Sequence, residues 1–90
     1  MNNSKGTNER VFKALANRRR LNIVAYLKHN KRSSVSELAG VIKATLPTTS
    51  KHLAILSAVD VVDYERKSLQ VYYSLNSVMP QVVRSVLKHL

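Results

Sequence analysis

Hydrophobic residues along this chain first recur with the period of an α-helix and then alternate as in a β-strand. The pattern predicts four helices up to residue 60, two strands, and a last apolar segment from Val78. Residues 1–7 are polar and aperiodic, so we expect a disordered tail before a first helix that begins at Asn8. Residues 8–90 are predicted to form one domain. The hydrophobic face of the first helix consists of Val11, Phe12 and Leu15, and that of the second consists of Leu21, Val24 and Leu27. The third helix has Leu38, Val41 and Ile42 on this face, and the fourth has Leu53, Leu56 and Val59.

Helix-capping residues locate the ends of these segments. Asn17 is a favourable N-cap for the second helix, and Asn30 is expected to end that helix as a left-handed C-cap. Ser34 or Ser36 can cap the third helix, and Thr45 can cap the fourth.

A short hairpin is predicted after the fourth helix. Residues 61–66 alternate along the strand, and residues 70–75 form a β-branched and aromatic run. The turn around Lys67–Ser68 lacks the Asn-Gly or Gly-Gly of a tight hairpin, so we expect a loop longer than two residues. Residues 31–34 are predicted to be a loop.

The third and fourth helices are separated only by Lys43–Thr45, which is the spacing of a helix–turn–helix. In that motif the second helix enters the major groove with its N-terminal residues, and the hairpin would be a wing with Arg66 and Lys67 on phosphate or in the minor groove. The alternative is that the residues at the start of the fourth helix form the polar face of an ordinary three-helix protein, and that the tip of the hairpin is a solvated turn. His52 is expected to bond backbone or phosphate. The predicted reading residues are Leu46, Pro47, Thr48, Ser50 and Lys51.

The charge of the chain favours nucleic acid as the partner. Its 90 residues include 15 Lys and Arg against 5 Asp and Glu, which gives a formal net charge of +10, an imbalance that a polyanion would screen. An anionic membrane surface is the weaker candidate, because no apolar run approaches the roughly 20 residues of a transmembrane helix. The first residues also lack the apolar core of a signal peptide. We therefore expect a cytoplasmic, nucleoid-associated protein that binds double-stranded DNA and no membrane.

Chemistry other than binding finds little support in the sequence. The chain has no cysteine, which excludes disulfides and thiolate metal sites. Its 3 histidines lie too far apart for a local metal motif. The acids around the hairpin have no base or nucleophile beside them. We expect no enzyme activity, no cofactor and no metal.

Three arginines would occupy the first turn of the second helix, where cations oppose the helix dipole. Contacts of Arg18 and Arg19 with phosphate would compensate for this conflict. The alternative is that one arginine of the group forms a structural ion pair with Glu9 or Glu37.

Three segments resemble the ArsR-type winged helix–turn–helix repressors: residues 14–27 (ALANRRRLNIVAYL), residues 34–56 (SVSELAGVIKATLPTTSKHLAIL) and the VYYSLN that ends at Asn76. The resemblance covers about residues 9–89, in matching order. It implies a mainly α fold with a small β-hairpin, in which four helices precede a two-strand wing and a last helix. It also implies a two-fold dimer built from the first and last helices. The apolar face from Val78 fits this expectation, since it is too wide for one neighbouring helix.

The family's DNA-reading positions fall on Pro47, Thr48, Ser50 and Lys51, with the wing at Arg66 and Lys67. The residues expected at the dimer interface are Val11, Phe12, Met79, Val82, Val83, Val86 and Leu90.

Several positions depart from the family pattern. Ser34 and Ser36 stand where many members hold metal-sensing cysteines, and His89 has no acid near it where others bind zinc between the last helices. Asp60 replaces the usual Gly after the reading helix, and Arg18 replaces a common Pro. The two serines and the lone histidine predict a regulator without a metal, whereas Asp60 and Arg18 bear on local geometry and leave the expected fold unchanged.

The sequence thus predicts a homodimeric, sequence-specific transcriptional regulator, most simply a repressor that binds an inverted repeat. Two alternatives stay open. One is a basic architectural protein that coats DNA with little sequence preference. The other is a winged-helix module that binds a protein partner.

Overall fold

The computed structural model describes residues 3–90 of the chain and the side chains of residues 8–90. Within that part, the hairpin before the last helix pairs with a short strand between the second and third helices, which makes a three-stranded antiparallel sheet with strand order β1-β3-β2. This order confirms the predicted mainly α fold with a hairpin before the last helix. The elements are α1 (Asn3–Leu15), α2 (Arg18–His29), β1 (Ser33–Ser34), α3 (Val35–Ile42), α4 (Leu46–Ala58), β2 (Val62–Lys67), β3 (Gln70–Leu75) and α5 (Gln81–Leu87).

One hydrophobic core is shared by the helices and the sheet. Helix α4 contributes Leu53 and Leu56, which are fully buried, so the side of α4 with Ser50 and Lys51 faces away from the core. None of the helices within residues 3–90 is both long and apolar enough to cross a bilayer. The buried core consists of Val11, Leu15, Ile23, Val24, Leu27, Leu38, Ile42, Leu53, Leu56, Val61, Val62, Met79 and Val83.

The first two helices differ from their predicted ends. Helix α1 begins at Asn3 rather than Asn8 and includes residues 3–7, which were expected in the tail; residues 1 and 2 lie outside the described part. Those first residues are polar, so apolar spacing could not detect them. Asn17 caps α2 as predicted. Asn30 ends α2 as predicted, but its backbone is extended and not left-handed, with a φ of −131°. Its backbone and side-chain N–H groups both donate to the Tyr26 carbonyl.

The sheet has one strand more than predicted and a tighter turn. Ser33 and Ser34 pair with β3, so the predicted loop over residues 31–34 is wrong at its end. A strand this short has no periodicity of its own and forms through distant pairing. The loop of the hairpin is only Ser68–Leu69, so the expected longer loop is also wrong. Ser68 takes a φ of 56°, the first-position geometry of a type II′ turn, where Gly is preferred.

Candidate nucleic-acid interface

The start of α4 is fixed by hydrogen bonds in the turn that precedes it. Lys43 ends α3 with a left-handed backbone, and its N–H bonds carbonyls of that helix. Thr45 caps α4 by accepting the N–H of Thr48 at 3.3 Å. The buried Thr49 hydroxyl donates to the Thr45 carbonyl at 2.8 Å. Pro47 lies in the first turn, where its missing N–H leaves no helical bond unmade. The predicted turn and cap are confirmed.

The predicted reading residues lie on the outer side of this helix start. Pro47, Ser50 and Lys51 are exposed. Thr48 is half-buried, and its hydroxyl oxygen accepts the Thr45 hydroxyl at 3.1 Å, which leaves the Thr48 proton available to an external acceptor. Leu46, the first residue of α4, is 51 % exposed. The helix start therefore presents hydroxyl, ammonium and methyl groups to solvent.

The wing is the β2–β3 hairpin, and Arg66 and Lys67 are both exposed near its turn. Because side chains alternate along a strand, Arg66 shares a sheet face with Tyr64, and Lys67 lies on the other face. The Tyr64 ring lies 5.6 Å from that of Tyr73, its cross-strand partner. The aromatic pair joins the two strands on the face that carries Arg66.

A cation braces the other face of the wing. The Arg32 guanidinium lies 4.7 Å from the ring centroid of Tyr72 and 3.8 Å from the Glu65 carboxylate. Tyr72 and Tyr73 therefore lie on opposite faces, as adjacent strand residues must. Each ring is therefore engaged within the chain, Tyr72 by Arg32 and Tyr73 by Tyr64.

A cleft joins the tip of the wing to the start of α4. Helices α3 and α4 and the wing all contribute to its lining, which consists of Val35, Ser36, Leu46, Ser50, Leu69, Gln70 and Val71. Leu69 is 97 % exposed, and no periodicity in the polar, basic turn around it marks it as a surface residue. We call residues 46–51 and 66–69 together the α4–wing surface.

The cations of the α4–wing surface have no acidic partner among the described residues. The ion pairs within the described residues lie outside this surface. They join Lys13 to Glu9 at 3.8 Å and Arg32 to Glu65 at 3.8 Å. Both pairs are solvent-exposed and of small energetic weight. The positive charge of the α4–wing surface is therefore left for an external anion.

The three arginines at the start of α2 separate into two groups. Arg20 turns back to the end of α1, where its guanidinium donates to the carbonyls of Ala14 and Lys13. A cation is favourable at a helix C-terminus, so α1 compensates for the unfavourable place of Arg20 on α2. Arg18 and Arg19 stay exposed, and Arg19 lines a cavity with the turn before α4.

The predicted ion-pair partners of these arginines are engaged by other groups. Glu9 lies beside Lys13, and Glu37 accepts a hydrogen bond from the Tyr26 hydroxyl. That bond lowers the pKa of Glu37 and raises the pKa of Tyr26. The ion-pair alternative is therefore wrong, because the structural arginine bonds helix carbonyls instead.

His52 is turned toward the N-terminal end of α2. Its Nδ1 lies 3.1 Å from a guanidinium nitrogen of Arg20. Because a guanidinium only donates, Nδ1 accepts and the ring is neutral with its proton on Nε2. Burial, followed by the charges of Arg20 and Arg19, lowers the pKa of His52 from its ordinary 6.5. Nδ1 is therefore engaged by a side chain of α2 and not by backbone, and a contact of Nε2 with phosphate stays a prediction.

The residues predicted for the dimer interface divide between core and surface. Val11 and Val83 are fully buried and Met79 nearly so; their side chains pack inside their own chain, which removes them from the candidate interface. The apolar face expected on the last helix therefore does not lie wholly at the surface. Helix α5 is short, and one side of it packs into the core of its own chain. The remaining residues form what we call the α1–α5 surface: Phe12, Val82, Val86 and Leu90.

Ser34 has a structural role at the position expected to hold a cysteine in metal-sensing relatives. Its hydroxyl oxygen accepts the Glu37 N–H at 3.1 Å and caps α3. Over residues 3–90, no group of three His, Asp or Glu side chains is arranged to hold a metal ion. The absence of a metal stays a prediction.

Known bacterial regulatory proteins are similar to this chain in sequence. The model of a family described as bacterial regulatory protein, arsR family, matches residues 17–64. The cadmium resistance transcriptional regulatory protein CadC of Listeria innocua is 37 % identical over 67 residues, which are 74 % of this chain and 56 % of CadC. The arsenical resistance operon repressor of Bacillus subtilis is 35 % identical over 68 residues, 76 % of this chain and 65 % of the repressor. The chain thus spans little more than half the length of CadC and about two thirds of the repressor.

Solved structures match almost the whole chain. Reduced HlyU from Vibrio cholerae superposes with a TM-score of 0.82 at 30 % identity and covers 98 % of this chain and 88 % of HlyU. The homodimeric winged helix–turn–helix DNA-binding domain of Mb0332 from Mycobacterium bovis has a TM-score of 0.79 at 28 % identity, with coverage of 93 % and 74 %. These matches confirm the predicted winged helix–turn–helix fold.

Proposed function

The chain belongs to the arsR family of bacterial regulatory proteins, and from that premise we propose that it is a homodimeric repressor that binds an inverted repeat in double-stranded DNA. The family is one of transcriptional regulators, which confirms the predicted resemblance and the expectation that the chain is not an enzyme. A bacterial DNA-binding regulator acts on the nucleoid in the cytoplasm, and we assign this chain to the same place.

The observation that carries the proposal is the α4–wing surface. Thr48, Ser50 and Lys51 stand on a helix start that is held in place by its own turn. Arg66 and Lys67 stand on a wing whose tip shares a cleft with that helix start. A helix that presents such residues at its N-terminus can contact base edges in the major groove, while a basic hairpin beside it contacts the backbone.

The α1–α5 surface supports a dimer. Phe12 is 50 % exposed, and Val82, Val86 and Leu90 are only partly buried although they pack against the core. The Mb0332 domain, which has the same fold, is homodimeric. A two-fold dimer would place two α4 helices in successive major grooves, roughly 34–36 Å apart, which is the reason for expecting an inverted repeat.

Repression is supported by the arsenical resistance operon repressor among the relatives. HlyU of Vibrio cholerae is named a transcriptional activator, so the direction of regulation depends on where the operator lies relative to the promoter. A dimer that covers a promoter excludes polymerase. Reporter transcription from promoters with the operator inside or upstream of the polymerase site tests this choice.

Arg18 and Arg19 are assigned to phosphate contacts. Both are exposed, and Arg19 lines the cavity beside the turn before α4. Replacing Arg19 with Ala should reduce the slope of log affinity against log salt by about one. An equal change for Arg84→Ala, an exposed arginine of α5, would contradict the assignment.

Selection of bound DNA from a random pool is the experiment that tests the proposal. We expect a recovered motif with two-fold symmetry and an affinity that falls by roughly 10³–10⁵ between 50 and 200 mM salt if 6–10 phosphates are contacted. A motif without two-fold symmetry would contradict the inverted repeat. A flat salt dependence would contradict the electrostatic argument.

A basic architectural protein is the second candidate, favoured by the net charge of +10. The ratio of operator affinity to random-sequence affinity separates the two. A repressor should prefer its operator by about 10³ or more. Ratios near one would favour the architectural protein. If the chain bound neither operator nor random DNA, the protein-interaction module would be favoured.

We also expect no metal effector. The chain has no cysteine, and Ser34 caps α3 at the position where metal-sensing relatives are expected to hold one. Cadmium or zinc added to the chain–operator complex should leave its affinity unchanged; release of the DNA at micromolar metal would show this expectation to be wrong.

A further inference from the structure

The side chain of Arg20 joins its own helix, α2, to both α1 and α4. Its guanidinium donates to the carbonyls of Ala14 and Lys13 at the end of α1. Another guanidinium nitrogen donates to Nδ1 of His52 on α4 at 3.1 Å. The backbone N–H of Arg20 donates to the Asn17 side chain that caps α2, so the base of the side chain is fixed as well. We call the side-chain contacts of this arginine with α1 and α4 the Arg20 bridge.

The Arg20 bridge ends beside both of the surfaces proposed for partners. On α1, Lys13 directly follows Phe12, the exposed aromatic residue of the α1–α5 surface. On α4, His52 directly follows Lys51, one of the predicted reading residues. The bridge is therefore a direct link between the helix proposed to join the subunits and the helix proposed to enter the major groove.

A surface cleft lies between α1 and α4 beside the bridge. An open cleft lacks the close packing that holds a core in place, so the hydrogen bonds of the bridge carry more of the positioning of these two helices. A guanidinium suits this task, because its donors form a rigid planar fork that can reach acceptors on two sides at once. The residues that line the cleft are Arg10, Lys13, Ala14, Arg20, Ile55, Ala58 and Val59.

We propose that Arg20 is a positioning residue that fixes α4 relative to α1 and thereby sets the spacing of the two half-sites that the dimer binds. This inference rests on the proposed function, because a half-site spacing exists only for a dimer on an inverted repeat. The spacing follows from the distance and direction between the two reading helices of the dimer. One extra base pair turns a half-site by about 35° around the DNA axis, so a rigid dimer rejects it and a dimer with freer reading helices accepts it.

Operators with different spacers test the proposal. The selected operator is compared with versions that hold one base pair more or one base pair fewer between the half-sites, and the affinity of the full chain is measured for each. For the unmodified chain we expect either change to weaken binding by about tenfold or more, the weight of a mismatched base pair. Arg20→Lys keeps the charge but lacks the planar fork, so it should bind the three operators with similar affinity.

A second variant breaks the bridge from the other end. His52→Leu removes the acceptor on α4 and leaves the contacts of Arg20 with α1. It should remove the spacing preference in the same way, and it carries the test if Arg20→Lys does not fold. Arg10→Lys is the matched control, because Arg10 is exposed and lines the same cleft. This control should keep the full spacing preference.

The ratio of affinities between spacers separates positioning from other effects of these changes. A loss of stability or of a phosphate contact weakens binding at every spacing equally and leaves the ratio unchanged. The proposal is overturned if the unmodified chain has no spacing preference, if a folded Arg20→Lys or His52→Leu keeps it, or if Arg10→Lys loses it as well. If selection recovers no operator with two-fold symmetry, the proposed function itself fails. If such an operator is recovered and its spacing preference survives in the bridge variants, only the role of Arg20 fails.

Discussion

The α4–wing surface and the α1–α5 surface are built in opposite ways. Helix α4 has a threonine cap, a proline in its first turn and a buried threonine that ties its first turn together. Helix α5 is shorter, and Pro80 stands at its N-cap without a side-chain hydrogen bond. Both surfaces expose apolar side chains, but only the start of α4 is fixed by side-chain hydrogen bonds of its own turn.

This difference matches the two proposed partners. DNA is bound by groups that must already be in place, since fixed geometry lowers the entropy lost on binding. A second copy of the chain can itself supply the packing that α5 lacks. The surface proposed for DNA is therefore fixed by hydrogen bonds within its own chain. The surface proposed for the partner subunit would gain its remaining packing from the second copy.

The largest effect is expected at the α1–α5 surface. Phe12→Glu places a charge where two subunits would meet, so the chain should become monomeric in sedimentation. Operator affinity should then fall by about 10² or more, because the second half-site no longer adds to the first. Ile55→Glu, at an exposed residue of α4, should stay dimeric. A dimeric Phe12→Glu would mean that another surface joins the subunits.

A smaller effect is expected at the α4–wing surface. Lys51→Ala should weaken operator binding about tenfold and leave the dimer intact. Lys88→Ala, an exposed lysine that follows α5, is the control. Fluorescence anisotropy at fixed salt compares the two variants. Equal affinities would show that Lys51 contributes only through net charge.

The cap of α4 should affect stability rather than recognition chemistry. Thr45→Ala removes the acceptor of the Thr48 N–H and should lower the free energy of unfolding by about 1 kcal/mol. Ser57→Ala, in the last turn of α4, should change it by less than about 0.5 kcal/mol. Urea denaturation measures both, and a neutral Thr45→Ala would contradict the view that the turn fixes the helix start.

The smallest effect is expected from pH. The pKa of His52 is lowered in the fold, so the folded chain favours the neutral ring. The stabilising contribution is complete above the ordinary 6.5 and is lost as the pH falls from there through the lowered value. The urea midpoint should therefore drop less for His52→Asn than for the unmodified chain between neutral and mildly acid pH. His89→Asn is the control, and identical pH dependence in all three would contradict the lowered pKa of His52.

The sequence predicted features that depend on local signals. Asn17, Ser34 and Thr45 cap the helices for which they were proposed, because a cap depends on residues within one turn. The helix order, the hairpin and the separation of buried from exposed positions on α4 follow from periodicity in the same way. The exposure of Pro47, Ser50 and Lys51 follows from that separation.

Features that depend on distant residues were missed. The strand Ser33–Ser34 exists through pairing with β3, and Arg20 reaches the end of α1 and His52 of α4. No local pattern encodes these contacts. Burial of Met79 and Val83 was missed for the same reason, since an apolar helix face does not show whether its own chain or a partner covers it.

Within residues 3–90, three bends carry non-glycine residues with positive φ: Lys43 before α4, Asp60 after it and Ser68 in the wing. Each such residue is strained by about 1 kcal/mol relative to a right-handed backbone. Replacement by Gly or Asn would relieve part of that strain without touching a proposed base contact. These positions therefore give an engineer a reserve of stability, which could offset destabilising changes made elsewhere in α4 to redirect the protein to a new operator.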